Sequence, residues 1–212
     1  MIRERNDKIK YIILISVIVI IVAVLKYRAG SRKAIPGGTE APVQTETTGF
    51  TDFTMNGYNV HISYLYEYEI DALVVHTHDY GGLDLASKLA PRDIALAWGT
   101  VAQYNDVVDF HWKQSGRWYS WTGSYDEIAK VGGTSGVNTQ SANNHLIPAD
   151  STVRSMIKRM RRGDHVKLKG YLVNVDATKP DGSYFYWNSS TTREDTGNGA
   201  CEVMYVTNVE FK

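Results

Sequence analysis

The chain has 212 residues, and its 23 Lys and Arg balance 23 Asp and Glu, giving a formal net charge of zero at pH 7. Residues 50–212 hold fifteen of the cations and nineteen acids, and this net of −4 argues against general nucleic-acid binding. The single cysteine, Cys201, excludes an internal disulfide, so packing must stabilise the fold.

The first element is an uncharged apolar run from Tyr11 to Leu25, preceded by a basic tail over residues 1–10. A helix of this length covers only ~22 Å of a hydrocarbon layer of ~30 Å. Lys10, Lys26 and Tyr27 can extend it by snorkelling toward the headgroups. The run therefore predicts a single membrane-spanning anchor over residues 11–27, held in the lipid bilayer.

Two alternatives compete with the anchor. The run also has the length of a signal-peptide core, and small residues at positions 29–31 offer a cleavage site, but Lys26 and Arg28 precede that site. A buried helix of a soluble domain is disfavoured because the run is apolar on every face. Four cations flank the run on each side, so the positive-inside rule does not decide its orientation. We expect the N-terminus inside, because most single-span proteins with this arrangement keep it there.

Residues 28–49 lack apolar periodicity and contain Pro36, Pro42 and several glycines. This composition predicts a flexible tether that holds the domain roughly 25 Å from the membrane. One globular domain over residues 50–212 follows, long enough to bury a core.

The domain opens with an alternating pattern over residues 58–71, interrupted only at Leu65, and residues 72–78 continue it. Period two indicates a strand pair or one long bent strand. The face predicted to be shared comprises Val60, Ile62, Tyr64, Tyr66, Tyr68 and Ile70.

Pro91 precedes a segment that predicts a short helix ending before Gly99. Aromatic flanks around residues 113–116 predict a hairpin over 109–122, and the Gly, Ser and Asn content of 131–144 predicts an irregular loop. A second helix, capped by Asp150 or Ser151 and ended by Gly163, comes next.

The rest of the chain predicts strands over residues 165–175, 183–187 and 200–211. The expected fold is mainly β, of the α+β class. We expect a small OB-like β-barrel or a curled antiparallel sheet, carrying two short helices.

Segment 163–175, GDHVKLKGYLVNV, resembles the strand that many small OB-like barrels place after a helix. With SANNHLIPAD (141–150) and GNGACEV (197–203), the layout is similar to a family of uncharacterised single-span bacterial membrane proteins. The resemblance implies a place in the bacterial inner (cytoplasmic) membrane, with the domain periplasmic or extracellular. It implies no activity.

Two sets of residues suggest chemistry. His76 and His78 stand two apart and can ligate zinc if another strand supplies a third ligand; an exposed strand end is the alternative, and no cofactor is predicted. Cys201 and His145 can form a thiolate–imidazole pair oriented by Asn143 or Asn144, although a buried cysteine is usually inert.

Three further groups suggest binding. Arg193, with Asp195, lies in a polar loop suited to an anion. Trp118 and Trp121 can stack on a sugar or a partner protein, or can pack in the core. Arg159 and Arg162 belong to a basic run for lipid headgroups, nucleic acid or an acidic protein, with a solvated helix face as the alternative. That list of binding candidates is Arg193, Asp195, Trp118, Trp121, Arg159 and Arg162.

No catalytic set is complete. The sequence therefore favours a non-enzymatic, membrane-anchored envelope domain that binds a partner protein or, second, a glycan. The competing hypothesis is a thiol-dependent envelope hydrolase that uses Cys201 and His145.

Overall fold

A computed structural model describes residues 2–31, 33–194 and 200–212. Within the first helix, side chains are described for residues 9–24. The strands are β1 (Val43–Glu46), β2 (Phe50–Met55), β3 (Tyr58–Asp79), β4 (Arg92–Ala97), β5 (Lys113–Ser115), β6 (Trp118–Ser120), β7 (Ser141–Pro148), β8 (His165–Thr178), β9 (Tyr184–Asn188) and β10 (Glu202–Phe211). The helices are α1 (Ile2–Ser31), α2 (Leu85–Leu89), α3 (Gly99–Tyr104), α4 (Tyr125–Ile128), α5 (Gly133–Thr139) and α6 (Ser151–Arg159), with a 3-10 turn at Ala129–Val131.

The fold is mainly β and is built on one large mixed sheet. Strands pair in the order β3, β4, β7, β10 and β8, and β8 pairs back onto β3, so the series closes on itself. The β7–β10 pair is parallel, and the other pairs in this ring are antiparallel. Strands β1 and β2 add to β3, while β9 adds to β8. Closure removes most of the free strand edges that an open sheet would expose.

Strand β3 is one continuous bent strand, which is one of the two predicted forms. Its register against β8 shifts between Tyr64 and Tyr66, so Leu65 is the extra residue of a bulge. A slip of one residue reverses the faces of a strand. Ile62 and Ile70 therefore pack in different apolar clusters, and the prediction of one shared face is wrong.

The central core lies inside the ring. Apolar side chains from all five ring strands contact one another there, among them Ile70, Leu96, Leu146, Leu168 and Met204. Helix α6 packs against the same cluster through Val153, Ile157 and Met160. Asp150 caps this helix by accepting a 2.8 Å hydrogen bond from the Val153 amide, so the predicted helix and its N-cap are confirmed. The helix ends at Arg159 and not at the predicted stop, Gly163.

Two local predictions fail. The segment after Pro91 is the buried strand β4, because it lies between β3 and β7 in the ring. The predicted irregular loop over 131–144 contains helix α5 and the start of β7. A short apolar run does not distinguish a buried strand from a helix by periodicity alone, and the ladder partners decide it. More helices than the two expected are present, most of them shorter than two turns.

Helix α1 covers the segment predicted to be an anchor. Its described side chains, from Ile9 to Val24, are all exposed. Taken over the residues that the structure describes, none of the helices has the length and apolar character that crossing a bilayer needs. Of the cationic side chains that flank the apolar run, those of Lys10 and Lys33 are described. The anchor stays a prediction.

Residues 28–31 of the predicted flexible tether belong to helix α1, and from Lys33 onward the segment contacts the domain. Lys33 O accepts a 2.8 Å hydrogen bond from Asn105, and the Ile35 amide donates to Ala102 O at 3.1 Å. Ile35 is buried, and residues 43–46 form β1. Over residues 33–46 the structure thus differs from a free tether, because isolated apolar residues such as Ile35 find a place in the core.

Gly170 tests the closure of the ring. It lies on β8 opposite Tyr68 of β3 and Val206 of β10, and a Cβ added there would overlap the carbonyl oxygen of Tyr205. We expect Gly170→Ala to lower the free energy of unfolding by about 2 kcal/mol or more, measured by urea denaturation. Gly81→Ala is the control, because nothing lies within 4 Å of its added Cβ. Equal stability of the two variants would contradict this account of the ring.

Candidate functional site

The β5–β6 hairpin lies over the outer face of β4 and β7. Its strands pair Ser115 with Trp118, which leaves Gly116 and Arg117 as the turn. Both residues have positive φ, 58° and 72°, as a type I′ turn requires. The predicted hairpin is confirmed, with its turn displaced from the expected position. A non-glycine residue with φ of 72° must be held by its surroundings.

The side chain of Arg117 supplies that hold. Its Nη1 donates to Asp93 Oδ1 and to Ala90 O, both at 2.8 Å. Its guanidinium lies 3.6 Å from the centre of the Tyr80 ring, and its amide donates to the Tyr80 hydroxyl at 2.9 Å. Asp93 is fully buried, so this ion pair fixes the hairpin to β4 from beneath.

His145 is the second partner of Asp93. The two residues stand directly opposite each other in the β4–β7 ladder. His145 Nδ1 lies 3.0 Å from Asp93 Oδ2, at ion-pair distance, and the imidazole packs 4.4 Å from the Trp187 ring, centre to centre. His145 is 3% exposed, and its Nδ1 and Asp93 Oδ2 lie close without the geometry of a hydrogen bond, so the imidazole is a buried group beside a carboxylate.

A series of side-chain amide hydrogen bonds connects the hairpin to Cys201. His76 Nδ1 lies 2.9 Å from Gln114 Oε1, and Gln114 Nε2 donates to Asn143 Oδ1 at 2.5 Å. Asn143 Nδ2 donates to Arg117 O at 3.0 Å and to Cys201 Sγ at 3.5 Å. These contacts join the hairpin, β7 and the start of β10 into one network.

The network places Cys201 and His145 on the same side of the sheet but gives them different partners. Cys201 contacts Asn143 and the Arg117 carbonyl, whereas His145 contacts Asp93 and Trp187. Of the predicted orienting residues, Asn143 touches the thiol. The hypothesis of a thiolate–imidazole pair stays a prediction.

The two predicted zinc ligands, His76 and His78, have different neighbours. His76 contacts Gln114, and His78 packs against the Tyr80 ring at 4.8 Å between ring centres. In the part of the chain that is described, no group of three or more His, Cys, Asp or Glu side chains is arranged to hold a metal ion.

Beside the network lies a pocket of about 340 Å³. One wall is aromatic, and Trp118 is 47% exposed at its rim. Trp121 Nε1 donates to Asn138 Oδ1 at 3.0 Å, and the Tyr119 hydroxyl donates to Ser141 O at 3.1 Å, so these rings are held in place. Its polar lining residues are Ser120, Asn138, Ser141, Thr192, Arg193, Cys201 and Glu202.

Charge at this pocket is carried by Arg193 and the buried Glu202. Arg193 Nη2 donates to Pro42 O at 2.9 Å, which ties the loop to the segment before β1. Burial raises the pKa of Tyr68, and Glu202 raises it further while Arg193 lowers it. Burial also raises the pKa of Tyr119 to about 12. Both phenols are therefore neutral hydrogen-bonding groups at physiological pH.

Four predicted residues meet at this pocket: Trp118, Trp121, Arg193 and Cys201. Arg159 and Arg162 lie elsewhere, at the C-terminal end of α6 and just beyond it, and Asp195 lies outside the described residues. No pattern in the sequence indicated Asn138 and Glu202 as lining residues, or the Arg117–Asp93 pair. A turn placed at Gly116-Arg117 would have indicated that Trp118 and Ser120 share one face of β6.

Comparison with known proteins yields no family model that matches, no matching curated protein and no matching solved structure.

The Arg117–Asp93 pair gives a test of the network. Arg117→Ala leaves a fully buried carboxylate without its cation, so we expect the free energy of unfolding to fall by about 3 kcal/mol. Urea denaturation followed by circular dichroism measures it. Lys113→Ala removes an exposed cation from the same hairpin and should change stability by less than ~0.5 kcal/mol. A loss below ~1 kcal/mol for Arg117→Ala would show that the pair does not secure the hairpin.

Proposed function

We propose that this protein is a membrane-anchored, non-catalytic binding domain whose aromatic pocket holds a sugar unit of an envelope glycan. The observation that carries the proposal is the pocket itself. Its lining combines two indole rings, Trp118 and Trp121, with hydrogen-bonding groups, among them Arg193 and Glu202, around one concave space.

The chemistry of that pocket suits a sugar ring. An indole or phenol offers a flat apolar face to the C–H face of a pyranose, while neighbouring polar side chains reach its hydroxyls. A volume of about 340 Å³ lies at the small end of the range of ligand pockets, ~300–1,000 Å³. It suits one or two sugar units better than a broad protein contact.

The strand order supports the same reading. The five ring strands, β3, β4, β7, β8 and β10, can be numbered 1 to 5 in chain order. Around the ring they then follow the order 1-2-3-5-4-1, and α6 lies in the chain between the third and fourth. We propose an OB-like barrel on this basis. Barrels of that kind bind oligosaccharides or oligonucleotides beside their second and third strands, with help from the loop between strands four and five.

The pocket residues fall in that region. Trp98 follows β4, Ser141 begins β7, and Arg193 lies between β8 and β10. The net charge of −4 over residues 50–212 favours an uncharged glycan over an oligonucleotide.

We also propose that α1 anchors the domain in the bacterial cytoplasmic membrane, with the domain outside. The large apolar side chains from Ile9 to Val24 are 44–67% exposed, and burial in lipid would remove them from water. Helix α1 ends at Ser31 and the domain's hydrogen bonds begin at Lys33. An anchored α1 would therefore hold the domain at the membrane surface, closer than the ~25 Å that a free tether allows.

Glycan binding is tested with the full chain in detergent micelles and solubilised peptidoglycan fragments as the probe. Trp118→Ala removes an exposed aromatic ring from the pocket lining. We therefore expect the dissociation constant, measured by isothermal calorimetry, to rise at least tenfold, a loss of about 1.4 kcal/mol of binding free energy. Tyr186→Ala removes an aromatic ring that is 65% exposed on β9, outside the pocket lining, and should leave the constant unchanged.

Equal affinity of these two variants, or no heat from any fragment, would contradict glycan binding in the pocket. A partner protein pulled from envelope extracts by wild type and by Trp118→Ala alike would point to a protein-binding surface elsewhere on the domain.

A second candidate function rests on Cys201, which is one of the residues lining the pocket and is only partly buried. A thiol-dependent hydrolase needs that sulfur as nucleophile. Under the binding proposal, Cys201→Ser keeps the dissociation constant within about twofold of wild type, because serine preserves the size and polarity of the wall. Turnover of peptidoglycan fragments by wild type, lost in Cys201→Ser and detected by mass spectrometry, would instead establish the hydrolase.

A further inference from the structure

A basic surface lies at the C-terminal end of α6, remote from the pocket lining. We define it by Lys158, Arg159, Arg161 and Arg162, of which the first three are exposed. The nearby acids are already engaged: Asp79 pairs with Arg92 at 2.6 Å, and Asp164 accepts from the Arg161 amide at 2.7 Å. Arg92, paired with Asp79, also donates to Lys158 O and Met160 O, so it holds this end of the helix against β4 while the four cations of the basic surface stand beside it.

A chain of hydrogen bonds connects the basic surface to the residue that follows α1. Lys33 O accepts from Asn105 Nδ2 at 2.8 Å. Trp112 Nε1 donates to Asn105 Oδ1 at 2.9 Å, and Arg162 Nη2 donates to Trp112 O at 3.3 Å. Two intervening residues thus join Lys33 to Arg162, and the chain enters the domain on the side that carries the basic surface.

We infer that the basic surface rests on anionic lipid headgroups and fixes the orientation of the domain on the membrane. The inference depends on the proposed anchoring through α1, which brings the headgroups to Lys33. Lysine and arginine near an anionic bilayer are attracted to it over about a Debye length, ~10 Å at 0.1 M salt.

Anionic lipid is favoured over other polyanions because the proposed anchor α1 would hold the domain next to the bilayer. Tethering at Lys33 gives the headgroups a high effective concentration beside the basic surface. A soluble nucleic acid or acidic protein has no such advantage, because nothing in the chain holds it beside the basic surface.

The full chain reconstituted into vesicles provides the test. Vesicles contain either phosphatidylcholine alone or phosphatidylcholine with 30% phosphatidylglycerol, at 50 mM salt. A membrane-impermeant amine-reactive ester labels exposed lysines, and mass spectrometry reads the rate at each one. We expect labelling of Lys158 to slow at least threefold in the anionic vesicles and to recover at 500 mM salt. Lys130, exposed and outside the basic surface, is the internal control and should not change.

Charge reversal provides a second, independent arm. Arg159→Glu with Arg161→Glu should abolish the protection of Lys158 in anionic vesicles. Lys130→Glu with Lys179→Glu makes the same change in net charge away from the basic surface, and should retain the protection. Equal labelling of Lys158 in both lipids, in protein that stays vesicle-bound, would overturn the inference.

Two further outcomes distinguish a failure of the lipid-binding inference from a failure of the proposed anchoring by α1. Chain that washes from both kinds of vesicle at carbonate pH fails the anchoring proposal, and the inference falls with it. Protection of Lys158 by added duplex DNA, with none from anionic lipid, would overturn the lipid assignment in favour of a nucleic-acid surface.

Discussion

The pairing of β3 with β8 is the constraint on which the rest of the structure depends. It runs from Asn59 to Leu73 along β3 and turns a row of strands into a closed ring. The bulge at Leu65 divides that pairing, so one half of β3 faces the central core and the other half faces a second cluster. Gly170 permits the tight approach of β10 on the opposite side of β8.

Closure of the ring puts the outer face of β4 and β7 under the β5–β6 hairpin, and polar groups fill that interface. A buried carboxylate is costly without a cation, and Arg117 meets Asp93 from a turn in which its own φ is positive. The same network continues through Asn143 to Cys201. One side of the pocket is therefore positioned by electrostatics, while apolar packing positions the ring of strands beneath it.

The pocket and the basic surface occupy different parts of the domain, so the proposed ligand binding and the proposed membrane orientation use separate residues. The pocket lies between the hairpin and the chain that precedes β10. The basic surface lies near Lys33, where the chain enters the domain. A domain held close to the bilayer by its basic end would keep the pocket available to a ligand in the envelope, without the reach of a long tether.

Local pattern in the sequence was enough for the long strand β3, the hairpin and helix α6 with its Asp150 cap, because these depend on neighbours a few residues apart. Strand β4 looked helical, since its burial comes from β3 and β7, far away in the chain. The partners of His145 and Cys201 were likewise set by ladder register, which one bulge can reverse. Aromatic content indicated a binding surface, and only the tertiary structure gathered Trp118, Trp121 and Arg193 around one pocket, because long-range pairing decides which side chains meet.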